Sequence, residues 1–380
     1  MSADPRARAF ASRLDRARRA GRALVDLAES DPSRCGLGPG LSLVATRGSA
    51  AGPQALGDAR EAIAAHLCGR GAPSAPDRVL LAPSAAAAYG WLLELLCPGD
   101  GEMLVPSPCS PIPALAPARA ARYALRYDGA WRIDRASLRR ALTPRTRAVL
   151  VASPSSPAGA LLSGDELAFL DELCAERGLA LVGDEGLAET ALAPTASVLG
   201  ATRCGAFQVS SIATLLGAPF EEGWLALAGE PSIVRSFVAR LEAIARPAPS
   251  QEAAAMLSAL LARREPFLSA LRKRLTDNRV CLATGALAEA PFTLLNGGGG
   301  WWAVLQTATP TTRARSPARS STRASSSSRD SSSDSSGAVT WSCRCSPGRR
   351  SSARGSSASR RSCARPSPER AGADPAESHA

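Results

Sequence analysis

Short, almost wholly apolar strands alternate with amphipathic helices along the first 305 of the chain's 380 residues. That alternation restricts the fold more than any other feature. RVLLAPS (78–84), EMLVPSP (102–108), RYALRY (122–127), RAVLVASPSSPAG (147–159) and LALVGDE (179–185) read as strands, the fourth running into a polar loop. Between them, DAREAIAAHLCGRG (58–71), AAAAYGWLLELLCPGD (85–100), IDRASLRRALTP (133–144) and SGDELAFLDELCAERG (163–178) read as helices. Asp134 is placed to cap the third, and Ser163-x-x-Glu166 forms a capping box on the fourth. Strands apolar on both sides must be covered on both sides. The pattern therefore predicts an α/β fold with a mostly parallel sheet between helical layers. Residues 230–280 read as one or two long helices, and PFTLLNGGGGWWAVLQ (291–306) as two strands meeting at a glycine turn, with Trp301 and Trp302 opening the second. The Gly297–Gly300 run has no helix after it, so it is a turn and not a phosphate loop.

After Gln306 the character changes. Residues 306–380 hold no Leu, Ile, Phe, Tyr or Met and a single Val. Such a segment cannot bury enough apolar surface to offset its chain entropy, and disorder is expected. It also explains the charge. The chain carries +11, a balance that ordinarily points to nucleic acid or acidic membrane, but the tail alone has 13 arginines against three aspartates and two glutamates. The tail lacks the aromatic interleaving of single-strand binders, which argues against nucleic acid.

No apolar run approaches the ~20 residues of a membrane span. The N-terminus lacks the apolar core of a secretory signal, and the ten scattered cysteines suit reduced thiols, so a cytoplasmic protein is expected. Cys343-x-Cys345 has no second pair at metal-ligand spacing, and no metal is expected. Groups for proton or imine chemistry are scarce: one lysine, Lys273, and two histidines, His66 and His379. Lys273 falls on a polar helix face and His66 in an apolar helix pattern, which makes the first solvated and the second structural.

The order of motifs resembles the alanine/aspartate-type aminotransferases of fold type I, which use pyridoxal phosphate. LVDLAESDPSRCGL (24–37) is similar to the family's opening segment, and LAPSAAAAYGWLLELLCPGDGEMLVPSPCSP (81–111) to its phosphate-cup helix and following strand. YDGAWRIDRASLRRALTPRTRAVLVASPSSPAG (127–159) resembles the run into its N-P-N-N-P-T-G loop. ELCAERGLALVGDE (172–185) resembles the strand ending in its D-E pair, and FQVSSIATLLGAPFEEGWLAL (207–227) its S-x-x-K-x-x-G-x-P segment. The resemblance implies a large domain over 41–230 and a small domain built from 1–40 and an incomplete 231–305, with 306–380 as the tail. It also implies a homodimer and amino-group exchange between an amino acid and a 2-oxo acid.

In this family the cofactor is the electron sink, and the protein holds and tunes it. The resemblance puts Asp184 at the position that keeps the ring nitrogen protonated, and Ala85, Ala86 and Ser211 around the phosphate. Elsewhere the expected parts are replaced. The imine-forming lysine is Thr214, the phosphate arginine is Glu222 in a segment one residue short, and the loop asparagine is Ser156. The ring-oxygen tyrosine is Leu187 and the stacking aromatic is Ser110. Five replacements together read as relaxed selection, and the chain is expected to be catalytically dead. Two rival readings are a non-catalytic descendant that binds a ligand or partner in the old cleft, and nucleic-acid binding through the arginine-rich tail.

Read one base over, with G or C at most wobble positions, Arg315–Ser333 becomes a helix pattern followed by G-V-L-V-Q-P-G-F-F, and Gly337–Gly348 contains L-V-V-S-L-L. Both resemble the family's C-terminal motifs, in order. A frameshift near codons 306–312 is the reading this supports.

Overall fold

The computed structural model describes residues 5–21, 37, 52–112, 115–216, 221–284, 292–307 and 338–341. The opening segment at 24–36, the Cys343-x-Cys345 pair and most of the tail lie outside them.

In chain order the elements are α1 (Pro5–Arg19), α2 (Ala55–Gly69), β1 (Val79–Ala82), α3 (Ala85–Leu96), β2 (Glu102–Ser107), β3 (Ala120–Tyr127) and β4 (Trp131–Ile133). Then come α4 (Arg135–Ala141), β5 (Thr146–Ala152), α5 (Gly164–Arg177), β6 (Ala180–Asp184), β7 (Ala206–Ser211), α6 (Ile212–Leu216) and β8 (Gly223–Ala228). Three helices follow, α7 (Pro231–Ile244), α8 (Gln251–Ala262) and α9 (Glu265–Thr284), and then β9 (Phe292–Leu295), β10 (Ala303–Thr307) and β11 (Ala338–Trp341).

Eight strands form one sheet in the order β1-β8-β7-β6-β5-β2-β3-β4. The five central strands, β7, β6, β5, β2 and β3, pair in parallel; β8, β1 and β4 are antiparallel additions at the two edges. This is the mostly parallel α/β sheet that the strand composition predicts. Its strands are apolar on both faces because each face has its own core. Val149, Leu181 and Trp224 pack with α2, α5 and α8 on one side. Ala148, Leu150, Val182, Phe207 and Leu225 pack with α3 and α7 on the other.

Local signals set the helix ends. Asp134 accepts from Ser137 N at 2.9 Å. Ser163 and Glu166 form both halves of the capping box, and Gly178 ends α5 in the left-handed conformation. Glu166 also accepts from Ile133 N at 2.8 Å, tying α5 to β4. The expectation for 230–280 needs correction, because three helices form there. Pro247 and Pro249 cannot continue α7, and Ser250 caps α8 by accepting from Ala253 N. Strand β4 was not anticipated either; it closes a hairpin on β3 across Asp128-Gly129, with Gly129 at φ +96°. β10 starts at Ala303, just after the tryptophan pair. Within the tail, β11 pairs antiparallel with β10, Ala303 opposite Trp341. Four residues expected to lack structure are thus in a strand, and the rest of the tail beyond Thr307 lies outside the described residues. Ala338–Trp341 contains the tail's only Val, a Thr and a Trp, the residue types that favour a strand.

Asp171, buried on α5, anchors the turn that leads into β7. Its carboxylate accepts from Thr202 N, Arg203 N and Cys204 N at 2.9–3.2 Å. Burial pushes this carboxyl up, but the donors at Thr202, Cys204 and Arg203 outweigh it and hold the group below the usual range. Asp171→Ala would strand three backbone donors, a loss expected to cost about 2–4 kcal/mol, checked by urea unfolding at pH 7. Because the native pKa is depressed, this contribution is present above the unfolded value of 3.8 and is lost as pH falls through the native one.

Candidate functional site

In an open parallel sheet, ligands bind beyond the carboxyl ends of the strands. Here β5, β6 and β7 end at Ala152, Asp184 and Ser211, and α3 begins beside Gly223, the first residue of β8. A Cβ on Gly223 would lie 2.9 Å from Ala85 N, so the start of α3 and the residue after Glu222 are in close approach. The structure therefore brings Ala85, Ser211, Thr214 and Glu222 to the same end of the sheet as Asp184. Ser211 lies opposite Gly223 in register, and Ile212 N donates to Glu222 O at 2.8 Å. Ala86 follows Ala85 in the first turn of α3.

Asp184 is half-buried. Gly186 N donates to its Oδ1 at 3.4 Å. Burial pushes its carboxyl above the usual range, only partly offset by Tyr89 and the Gly186 amide. Tyr89 is a site residue that the sequence reading missed. It is 2 % exposed, and its hydroxyl faces Asp184 without a hydrogen bond of ordinary geometry. Burial first, and the Asp184 charge second, push the phenol well above its normal value. The available signal was its spacing: four residues after Ala85, it lies on the same face of α3 as the first residue of the helix. Glu185, next to Asp184, faces away to a structural role, accepting from Val198 N at 2.8 Å and Ser197 Oγ at 2.9 Å.

Thr214 lies in α6 with its hydroxyl directed back to β7. Oγ1 donates to Ser211 O at 2.9 Å and sits 3.1 Å from Ser211 Oγ, which also accepts from Thr214 N at 3.3 Å. A Cβ on Gly186 would lie 2.7 Å from Thr214 Oγ1. Thr214 therefore packs two residues beyond Asp184, against the same turn. Ser110 and Ser156 meet as well: Ser110 N donates to Ser156 O and Ser110 Oγ to Ser156 Oγ, both at 2.8 Å. Leu187 is half-buried on the loop after β6 and lies within 3.9 Å of where a Cβ on Gly300 would be.

Lys273 is remote in character from this constellation. It stands on α9, 75 % exposed, paired with Asp277 at 2.8 Å. His66 is buried on α2 with its ring edge-on to Trp224. Its Nδ1 has no hydrogen-bond partner and lies 3.7 Å from Glu189 Oε1. Among the described residues no group of three or more His, Cys, Asp or Glu could hold a metal ion. No described helix is long and apolar enough to cross a membrane.

The family "Aminotransferase class I and II" matches residues 45–306. The chain belongs to this family. Its members use pyridoxal phosphate. Among curated relatives, "Probable N-succinyldiaminopimelate aminotransferase DapC" of Mycobacterium tuberculosis is 39% identical over 98 residues, 25% of either chain. The glutamate-pyruvate aminotransferase AlaA of Escherichia coli K12 is 26% identical over 204 residues, 50% of this chain and 49% of its own. The matches thus span a quarter to a half of these curated relatives. In three dimensions the chain is similar to the N-succinyldiaminopimelate aminotransferase of M. tuberculosis, with TM-score 0.63, 26% identity, and coverage of 78% of this chain and 80% of that one. The alanine aminotransferase of Pyrococcus furiosus shares the fold at TM-score 0.69 and 20% identity, covering 82% and 86%.

Proposed function

We propose that this chain is an aminotransferase-family protein that keeps the family's cleft and has lost amino-group transfer. Thr214 carries the reading. It packs beside the Asp184 turn, where the family's motif calls for lysine, and a hydroxyl cannot form an imine with an aldehyde. The chain has one lysine, and that side chain is ion-paired on the exposed face of α9.

The residues present do not fit pyridoxal phosphate as a covalently held cofactor. No amine stands at the site, and the Ser211 hydroxyl is engaged by Thr214. Glu222 puts an acidic residue, and no arginine, next to Gly223 and the start of α3, where the phosphate would have to bind. Ser110 and Ser156 satisfy each other instead of presenting a ring and an amide. Ancestral substrates of this reading are an amino acid and a 2-oxo acid, in a cytoplasmic homodimer with a large domain over 41–230. The test is direct. Purified protein supplied with pyridoxal phosphate is expected to show no turnover on amino acid/2-oxo acid pairs, and any adduct that borohydride fixes on the exposed Lys273 is expected to form no faster than on a free amine. Measurable transamination would overturn the proposal.

A second reading, a ligand held without covalent attachment, is favoured by one observation. The Tyr89 hydroxyl is buried facing Asp184, and among the described residues it has no hydrogen bond of ordinary geometry, a state that a polar ligand would relieve. Nucleic-acid binding rests on the tail's charge alone. The composition of that tail we attribute to a shift of reading frame near codons 306–312. Resequencing codons 300–315 decides it, and an unaltered frame would remove the attribution.

A further inference from the structure

The turn between β9 and β10 does more than reverse the chain. Gly298 N donates to Gly159 O at 2.7 Å, and Leu192 N donates to Gly298 O at 2.8 Å. Gly300 N donates to Thr190 Oγ1 at 2.9 Å. Thus one side of the turn grips the loop after β5, which carries Ser156. The other side grips the segment after β6, at Thr190 and Leu192, which also carries Leu187. These two segments flank Asp184.

The approach is closer than a side chain allows. A Cβ on Gly297 would lie 2.9 Å from Ala158 O, one on Gly298 2.6 Å from Leu161, and one on Gly299 2.7 Å from Pro154. On the partner side, a Cβ on Gly159 would lie 2.6 Å from Gly299 O. Three successive glycines are what this contact needs, and the fourth, Gly300, takes a φ of +83°. Arg279 of α9 secures it, donating to Gly297 O and, at 3.0 Å, to Gly299 O. Its guanidinium is half-buried, and burial lowers its pKa from the usual value. The arginine thus spends its donors on carbonyl oxygens of the turn.

We infer that Gly297–Gly300 is a strap that bolts together the two loops flanking Asp184, and that Arg279 is its positioning residue. The strap sets the separation of Ser156 and Leu187 before any ligand arrives, so the cleft is preformed. The inference holds whether or not the cleft retains chemistry, since it concerns only how the walls are held.

Hydrogen exchange on the full chain tests it. Arg279→Met removes the donors while keeping length, and Gly298→Ala pushes a methyl into Leu161. Both are expected to speed exchange of the Leu192, Gly298 and Gly300 amides at least about tenfold, while amides of β5–β8 keep wild-type rates. Adding Leu161→Ala to Gly298→Ala is expected to return the protection, because it removes the atoms the new methyl meets. Two results would overturn the inference. One is unchanged exchange at the three amides in either single variant. The other is acceleration shared evenly with β5–β8, which marks a global loss of stability and no local bolt. If one single variant fails to fold, the other and the double variant still decide.

Discussion

Thr214→Lys is expected to leave transamination at least about 10²-fold below that of an intact family member, because the lysine would enter a site missing its other parts. Deleting one oriented electrostatic contact from an active site typically costs on the order of 10²-fold or more in rate, and several are absent here. Glu222 puts an acidic residue, where the family's motif has an arginine, next to Gly223 and the start of α3. Ser110 and Ser156 are hydrogen-bonded to each other and offer no stacking face or amide. Leu187 offers no hydroxyl. The lysine would also have to displace a hydroxyl wedged between Ser211 and Gly186. Steady-state assay of Thr214→Lys across amino acid/2-oxo acid pairs, with and without pyridoxal phosphate, checks this. Turnover near that of an intact relative would mean that the positions of Ser110, Ser156, Leu187 and Glu222 are misassigned.

The second large effect concerns acid stability. His66 is held neutral, its pKa pulled from 6.5 down to about 3, first by burial and then by the charges of Arg70 and Arg264. Glu189, 3.7 Å away, does not rescue the proton, since its carboxylate is ion-paired with Arg272 and lies 3.8 Å from Arg70. The native pKa is depressed, so between about 6.5 and 3 the unfolded chain takes up a proton that the native chain refuses. Stability must therefore fall as the pH falls through that window, by roughly 4–5 kcal/mol at its acid end. Asp184 and Glu185 act in the opposite sense, because burial raises both carboxyls. The comparison that isolates His66 is wild type against His66→Leu, unfolded in urea from pH 7 to 4. The difference between the two is expected to grow steadily in favour of the variant as the pH falls. A constant difference would show that His66 takes up its proton as readily in the native chain as in the unfolded one, against the depressed value.

Much of the eight-stranded sheet and its helices was legible because its signals are local. The Ser163-x-x-Glu166 box, the Asp134 cap and the doubly apolar strands need only neighbouring residues to act, and each is found where it was expected. Pro247 and Pro249 carried an equally local signal, the break between α7 and α8, which was passed over. Strand β4 was missed because three residues set no period; only its pairing with β3 makes it a strand. β11 is the same case at greater distance, since it exists through β10. In the cleft, family resemblance brought Ser110, Ser156 and Thr214 forward, but the neighbourhood of Tyr89 was hidden. Its apolar helix position says that it is buried and does not say that a carboxyl faces it. Arg279 was invisible for a related reason: a guanidinium that recognises backbone carbonyls 18 and 20 residues away leaves no complementary side chain to notice.

One exposed side chain has a practical consequence. With a single lysine in the chain, and that one 75 % exposed and held only by a surface pair with Asp277, an acylating reagent meets one side-chain amine. A surface pair of this kind contributes little and leaves the amine free to react. A fluorophore ester or biotin ester would thus reach, besides the α-amine of the chain, one side-chain amine, on the helix that also carries Arg279. The side-chain adduct, separated from that on the α-amine, reports on the helix that fastens the glycine turn without an introduced cysteine.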